Sequence, residues 1–105
     1  MPRYAFKLRI RGDAIEQYEI EHKRVWPELL EKLKQVGISD YFIFRRNQDL
    51  FLTFCVDNFD RVWDELDHDP INQRWQAFMS NLLEPIPDKR PGERFAMMKE
   101  VFHLE

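Results

Sequence analysis

An α+β fold, an antiparallel sheet carrying helices on one face, follows from three observations on this 105-residue sequence. Residues 4–10 alternate apolar and charged side chains, the period-two mark of a half-exposed strand. Residues 38–46 and the run LFLTFCV flank a polar turn, Asn47-Gln48-Asp49, and read as a hairpin. Between and after these strands, apolar residues recur at helical spacing.

Each element has a local cause. In the first strand Tyr4, Phe6, Leu8 and Ile10 point one way while Lys7 and Arg9 face water. Gly12-Asp13 supplies a turn and a helix cap, after which Ile15, Tyr18, His22, Val25 and Trp26 share one helical face. Pro27 interrupts that stripe. It pushes Trp26 out of the α region and suits the first position of a new piece, PELLEKLKQVG, with carbonyls near His22 and Trp26 left unsatisfied and Gly37 as the stop. The hairpin is apolar on both faces: Phe42 and Phe44 point one way, Tyr41 and Ile43 the other. One helical layer covers one face, so the second face should meet another subunit or a ligand.

Asn58 or Asp57 caps a short helix carrying Phe59, Val62, Trp63 and Leu66. Asp69-Pro70, a cap followed by proline at the first helical position, opens another with the stripe Ile71, Trp75, Phe78 and Leu82. Residues 84–94 hold three of the six prolines and form an extended connection. The terminal MMKEVFHLE is expected as the last strand. The order βαββαβ is the split, ferredoxin-like arrangement, and residues 1–105 are expected to be one domain. Its open sheet face is the natural place for a homodimer contact.

Composition narrows the function. A net charge of −3 lacks the clustered Lys and Arg excess of a nucleic-acid or acidic-membrane surface. The single cysteine, Cys55, rules out an internal disulfide and sits in an apolar run, where a buried thiol is expected. No stretch has the apolar length of a membrane span or a signal peptide core, so a cytoplasmic protein is expected. Three glycines form no phosphate-binding loop, His22, His68 and His103 are too scattered for a metal signature, and neither serine stands in a nucleophile elbow. Neither a metal nor a cofactor is expected.

What remains is a histidine among aromatics. An imidazole exchanges protons near neutral pH, a tyrosine hydroxyl donates, accepts or orients, and aromatic faces bind the C–H faces of pyranoses. A Tyr-His-Trp stripe is nonetheless more often a packing face than a catalytic one, and spacing alone leaves both readings open.

The whole chain resembles the L-rhamnose mutarotase family. The matching residues are Ala5-Phe6; Tyr18, His22, Trp26, Pro27 and Glu28 as Y-x-x-x-H-x-x-x-W-P-E; Gly37 and Tyr41; Gln73 to Trp75; and Glu100 to Phe102. The resemblance implies a dimeric ferredoxin-like fold that interconverts the α and β anomers of a 6-deoxyhexose without cofactor or metal. It implies His22 as the proton donor and Tyr18, Tyr41 and Trp75 as sugar contacts; in a ring-opening mechanism His22 is then expected as the acid at the ring oxygen, reversing its role on closure. One position departs from the family's best-known form, where a second tryptophan follows the first; here Gln76 offers an amide to the sugar instead. L-rhamnose is the expected substrate, with L-fucose the alternative. The same fold also admits cofactor-free oxygenases and non-catalytic sugar-binding modules.

Overall fold

A computed structural model describes residues 1–105. Its elements are β1 (Arg3–Ile10), α1 (Ile15–His22), α2 (Pro27–Gln35), β2 (Ser39–Arg46), β3 (Asp49–Cys55), α3 (Phe59–Asp67), α4 (Pro70–Ser80), β4 (Leu83–Glu84) and β5 (Ala96–Met98). The sheet runs β2-β3-β1-β4, with β5 also on β1, and every pairing is antiparallel. This is the ferredoxin-like order, and the helices cover one face.

The register explains which residues are buried. Tyr4, Phe6 and Leu8 stand opposite Phe54, Leu52 and Leu50, so the two central strands turn one apolar set toward the helices. Phe6, Ile10, Leu50, Leu52 and Phe54 are almost fully buried there, in one cluster of 17 residues with Leu29, Val62, Trp63, Leu66, Trp75 and Met79 among them. The opposite face is open in the single chain. Phe42, Phe44 and Phe51 are 51%, 59% and 42% exposed, so the hairpin expected to be buried on both sides is covered on one.

At Pro27 the helix is broken, not merely kinked: α1 ends at His22, Trp26 is extended (φ −58°, ψ 129°), and Pro27 starts α2. The carbonyls of residues 22–25 accept no hydrogen bond, as the break at Pro27 leads one to expect, whereas that of Trp26 accepts from the Leu29 and Leu30 amides and that of Tyr18 lies against the His22 ring. At the far end of α2, Gly37 adopts φ +98°, and the Gly37 and Ile38 amides donate back to Lys34 and Leu33. That is a Schellman ending, which needs a residue free of Cβ strain.

Several expectations fail locally. The cap of α1 is Ala14, without a side-chain hydrogen bond, because the Asp13 carboxylate accepts from Arg11 at 2.9 Å instead. Of the proposed final strand only Ala96–Met98 pairs with β1; residues 99–105 are exposed, with Val101, Phe102 and Leu104 at 77–88%. The connection after α4 contains β4, where Glu84 opposes Arg9 on β1 and accepts from its guanidinium at 2.7 Å. Cys55 is half-buried, since its side chain stands on the open face of the sheet.

Candidate active site

His22 is the last residue of α1, a helix with little amphipathic bias whose one buried residue is Tyr18. The i, i+4 spacing lays the imidazole on the Tyr18 ring, centroids 4.0 Å apart and 24° from parallel. The His22 Nδ1 is 2.9 Å from the Tyr18 carbonyl oxygen. A carbonyl only accepts, so Nδ1 carries the proton and, in the neutral ring, Nε2 is the free acceptor. From the other side Trp75 of α4 meets the imidazole edge to face at 5.4 Å. Trp75 is held in turn by Trp26 (5.1 Å) and Phe78 (6.1 Å). The helix break therefore places Trp26 behind the site as support for Trp75.

Tyr41 arrives from the sheet. The β2–β3 register shifts between Ser39 and Phe42, and Asp40 within that irregularity takes φ +49°, the left-handed region an aspartate tolerates. Tyr41 thereby faces the helices and packs on Phe54 at 5.4 Å, while Phe42 faces out. Arg3 holds the bend through the Asp40 carboxylate at 3.4 Å.

These side chains enclose connected spaces. A cavity of about 70 Å³ between sheet and helices is lined by Tyr18, His22, Tyr41, Trp75 and Gln76, all five residues singled out from the sequence. An open groove of about 640 Å³ runs from His22, Tyr41 and Trp75 between α2 and β2, with Leu29, Leu33 and Ile38 as its apolar walls. That volume is within the range of about 300–1,000 Å³ usual for small-molecule sites. A third cleft of about 370 Å³ opens on the other flank of His22, where Arg45 of β2 donates to Glu19 of α1.

Burial sets the electrostatics. Desolvation lowers the His22 pKa below the usual imidazole value, opposed in part by the hydrogen bond to Tyr18 and by the Glu21 charge. Burial raises both the Tyr18 and Tyr41 phenols, and each is an O–H donor at any physiological pH. Gln76 lies at an exposed edge of the cavity, its Nε2 3.4 Å from Asn72 Oδ1, and so avoids the burial penalty expected from sequence. Trp63, read as core, also lines the cavity. Lys34 and Asp40, which the sequence pattern does not single out, also line the groove. His68 is exposed at the end of α3, and His103 is exposed in the terminal tail.

A ferredoxin-like sheet presenting one imidazole and two phenols to an aromatic-walled space suits acid–base chemistry on a small molecule. The L-rhamnose mutarotase family model matches residues 3–104. The chain belongs to the L-rhamnose mutarotase family. Similar curated relatives include L-rhamnose mutarotases from Jannaschia sp. (34% identity, 99% of each chain covered) and Sinorhizobium fredii (35%, 99% of each). Among solved structures, an L-rhamnose mutarotase from Formosa agariphila superposes with TM-score 0.81 at 30% identity over both full chains. Tetracenomycin F2 cyclase from Streptomyces glaucescens, at 15% identity and TM-score 0.68 over 100% of this chain and 98% of that one, shares the fold.

Proposed function

We propose that this chain is a mutarotase interconverting the α and β anomers of L-rhamnose by acid–base ring opening, and that it works as a homodimer. The observation that carries the reading is the convergence of Tyr18, His22, Tyr41, Trp75 and Gln76 on one cavity beside a groove of small-molecule size. Ring opening moves one proton off the anomeric hydroxyl and one onto the ring oxygen, the C1–O5 bond breaks, and the aldehyde turns and recloses on its other face. His22 is the proton-transfer group. Tyr18, Tyr41 and Trp75 hold the pyranose, and the Gln76 amide bonds a hydroxyl at the rim. The relatives' names favour L-rhamnose, and Gln76 makes L-fucose the sugar to compare.

Selective inversion of one anomeric proton at equilibrium, followed by transfer to the other anomer, measures the exchange for each sugar. The wild type should accelerate exchange, faster with L-rhamnose than with L-fucose. His22→Ala should lose on the order of 10²–10⁴-fold, the size of general acid–base help, while keeping its circular dichroism spectrum. Full exchange in that variant would refute the site. Exposed Phe42, Phe44 and Phe51 support the dimer, since an apolar sheet face of this kind calls for a partner. Phe44→Lys should sediment as a monomer, and an unchanged mass for wild type and variant would refute this contact.

A further inference from the structure

We infer that the small cavity between sheet and helices seats the C6 methyl group of the sugar, and that its floor, with Met79 and Leu83, selects 6-deoxy sugars over their C6-hydroxylated counterparts. This deepens the mutarotase reading and rests on it.

Size comes first. At about 70 Å³ the cavity is far below about 300 Å³, where small-molecule sites begin, so a pyranose ring does not enter it. It has room for one substituent. The ring itself then stays at the neck, where His22, Tyr41, Ile43 and Trp75 line both the cavity and the groove.

The chemistry of the floor decides which substituent enters. Among residues that line the cavity but not the groove, Phe6, Leu8, Leu52, Met79, Leu83 and Phe95 carry no side-chain nitrogen or oxygen. Phe6, Leu52 and Met79 are 2–4% exposed, and the Phe95 ring lies flat on Phe6 at 4.1 Å. Trp63 adds one indole N–H, a donor alone, so a hydroxyl placed there has no acceptor for its proton. Every fully buried side-chain nitrogen and oxygen already has a partner, and none waits for a sugar hydroxyl. A hydroxyl pushed into this space would give up its water and gain too little in return.

L-Rhamnose carries one ring substituent that is not a hydroxyl, the methyl on C5. C5 is bonded to the ring oxygen, so a methyl seated in the cavity brings the C1–O5 bond to the neck, beside His22 and Tyr41. Size, polarity and the position of the reacting bond thus select the same orientation. L-Fucose carries the same methyl. The floor therefore sets the class of sugar and leaves the choice within that class to Gln76 at the exposed edge.

The test uses L-rhamnose, L-mannose and L-lyxose, which differ only in the group on C5: methyl, hydroxymethyl or hydrogen. Anomer exchange by inversion transfer, corrected for the spontaneous rate, gives kcat/KM for each. Wild type should lose about 10–200-fold on L-lyxose, which lacks the methyl, and on the order of 10²-fold on L-mannose, which adds a hydroxyl. Equal values on the three sugars would overturn the inference. Met79→Gln and Leu83→Gln each give the floor an amide for that hydroxyl, and each should narrow the preference for L-rhamnose over L-mannose by about tenfold. A packing defect alone would lower all three sugars together and leave the ratio unchanged. An unchanged ratio in a variant with the wild-type circular dichroism spectrum would overturn the role of that residue. Leu83 is half-buried on the short strand β4 and tolerates the change better than Met79; if neither variant folds, the wild-type series decides alone. Absence of exchange on every sugar would overturn the mutarotase reading and this inference with it, whereas exchange without preference overturns this inference alone.

Discussion

Asp69 is a two-atom device that fixes the start of the helix bearing Trp75, and its removal has a size that can be worked out. Its Oδ2 accepts the Asn72 amide at 2.9 Å, closing the first turn of α4 ahead of Pro70. Its Oδ1 lies 3.9 Å from Lys32 Nζ on α2, where the two side chains are 20% or less exposed. Losing a cap costs about 1 kcal/mol, and a half-shielded ion pair at the long limit of contact adds up to about 1 kcal/mol more. Asp69→Ala should therefore lose about 1–2 kcal/mol. Asp69→Asn keeps an oxygen for the amide and should lose only the charge contribution, at most about 1 kcal/mol. Urea unfolding at fixed protein concentration, read by tryptophan fluorescence, gives both numbers without the ambiguity of a concentration-dependent Tm. Equal losses in the two variants would show that the cap contributes nothing, and no loss in either would refute the account of how α4 begins.

Two further predictions test other parts of the argument. Gly37→Ala meets no atom within 4 Å, so its whole cost is the left-handed backbone at φ +98°, about 1–2 kcal/mol by urea unfolding; a neutral change would mean the α2 ending relaxes freely. Because burial raises the Tyr18 and Tyr41 pKa values, the folded state keeps their protons above pH 10, where the unfolded chain releases them. Their stabilising effect is thus complete below about pH 10 and lost as pH rises beyond it. Phenolate absorbance should show these two tyrosines ionising only with unfolding, and reversible ionisation in the folded protein near pH 10 would place them in water.

How much of this was legible in the sequence depends on whether the cause was local. Pro27, Asp69-Pro70, Gly37 and Asn47-Gln48 act on their own few residues, and each starts, stops or turns the chain where its chemistry requires. The α1 cap was misread because Arg11 competes for the Asp13 carboxylate. The last strand was overextended because alternating apolar residues in EVFHL fit a strand without guaranteeing a partner, and only Ala96–Met98 pair with β1. That β1 serves β4 at Arg9–Ile10 and β5 at Ala5–Lys7 on one edge is a long-range fact no local pattern records.

The site divides along the same line. Tyr18 and His22 sit on one turn of helix, so their stacking follows from spacing, and Trp75 follows from the apolar stripe of α4. Tyr41 reaches them only through the left-handed Asp40 and the register shift beside it, which no aspartate announces. The tautomer of His22 belongs with the second kind. It depends on which atom faces Nδ1, and that is the carbonyl one turn back, left within reach because α1 stops at His22 before the proline. The break after α1 thus does two things at once: it ends the helix so that the imidazole can bond its own backbone, and it swings Trp26 behind Trp75 to brace the opposite side of the ring. A continuous helix through residue 26 would carry Trp26 along the α1 axis, remove that brace, and leave the imidazole without the fixed direction that its proton chemistry requires.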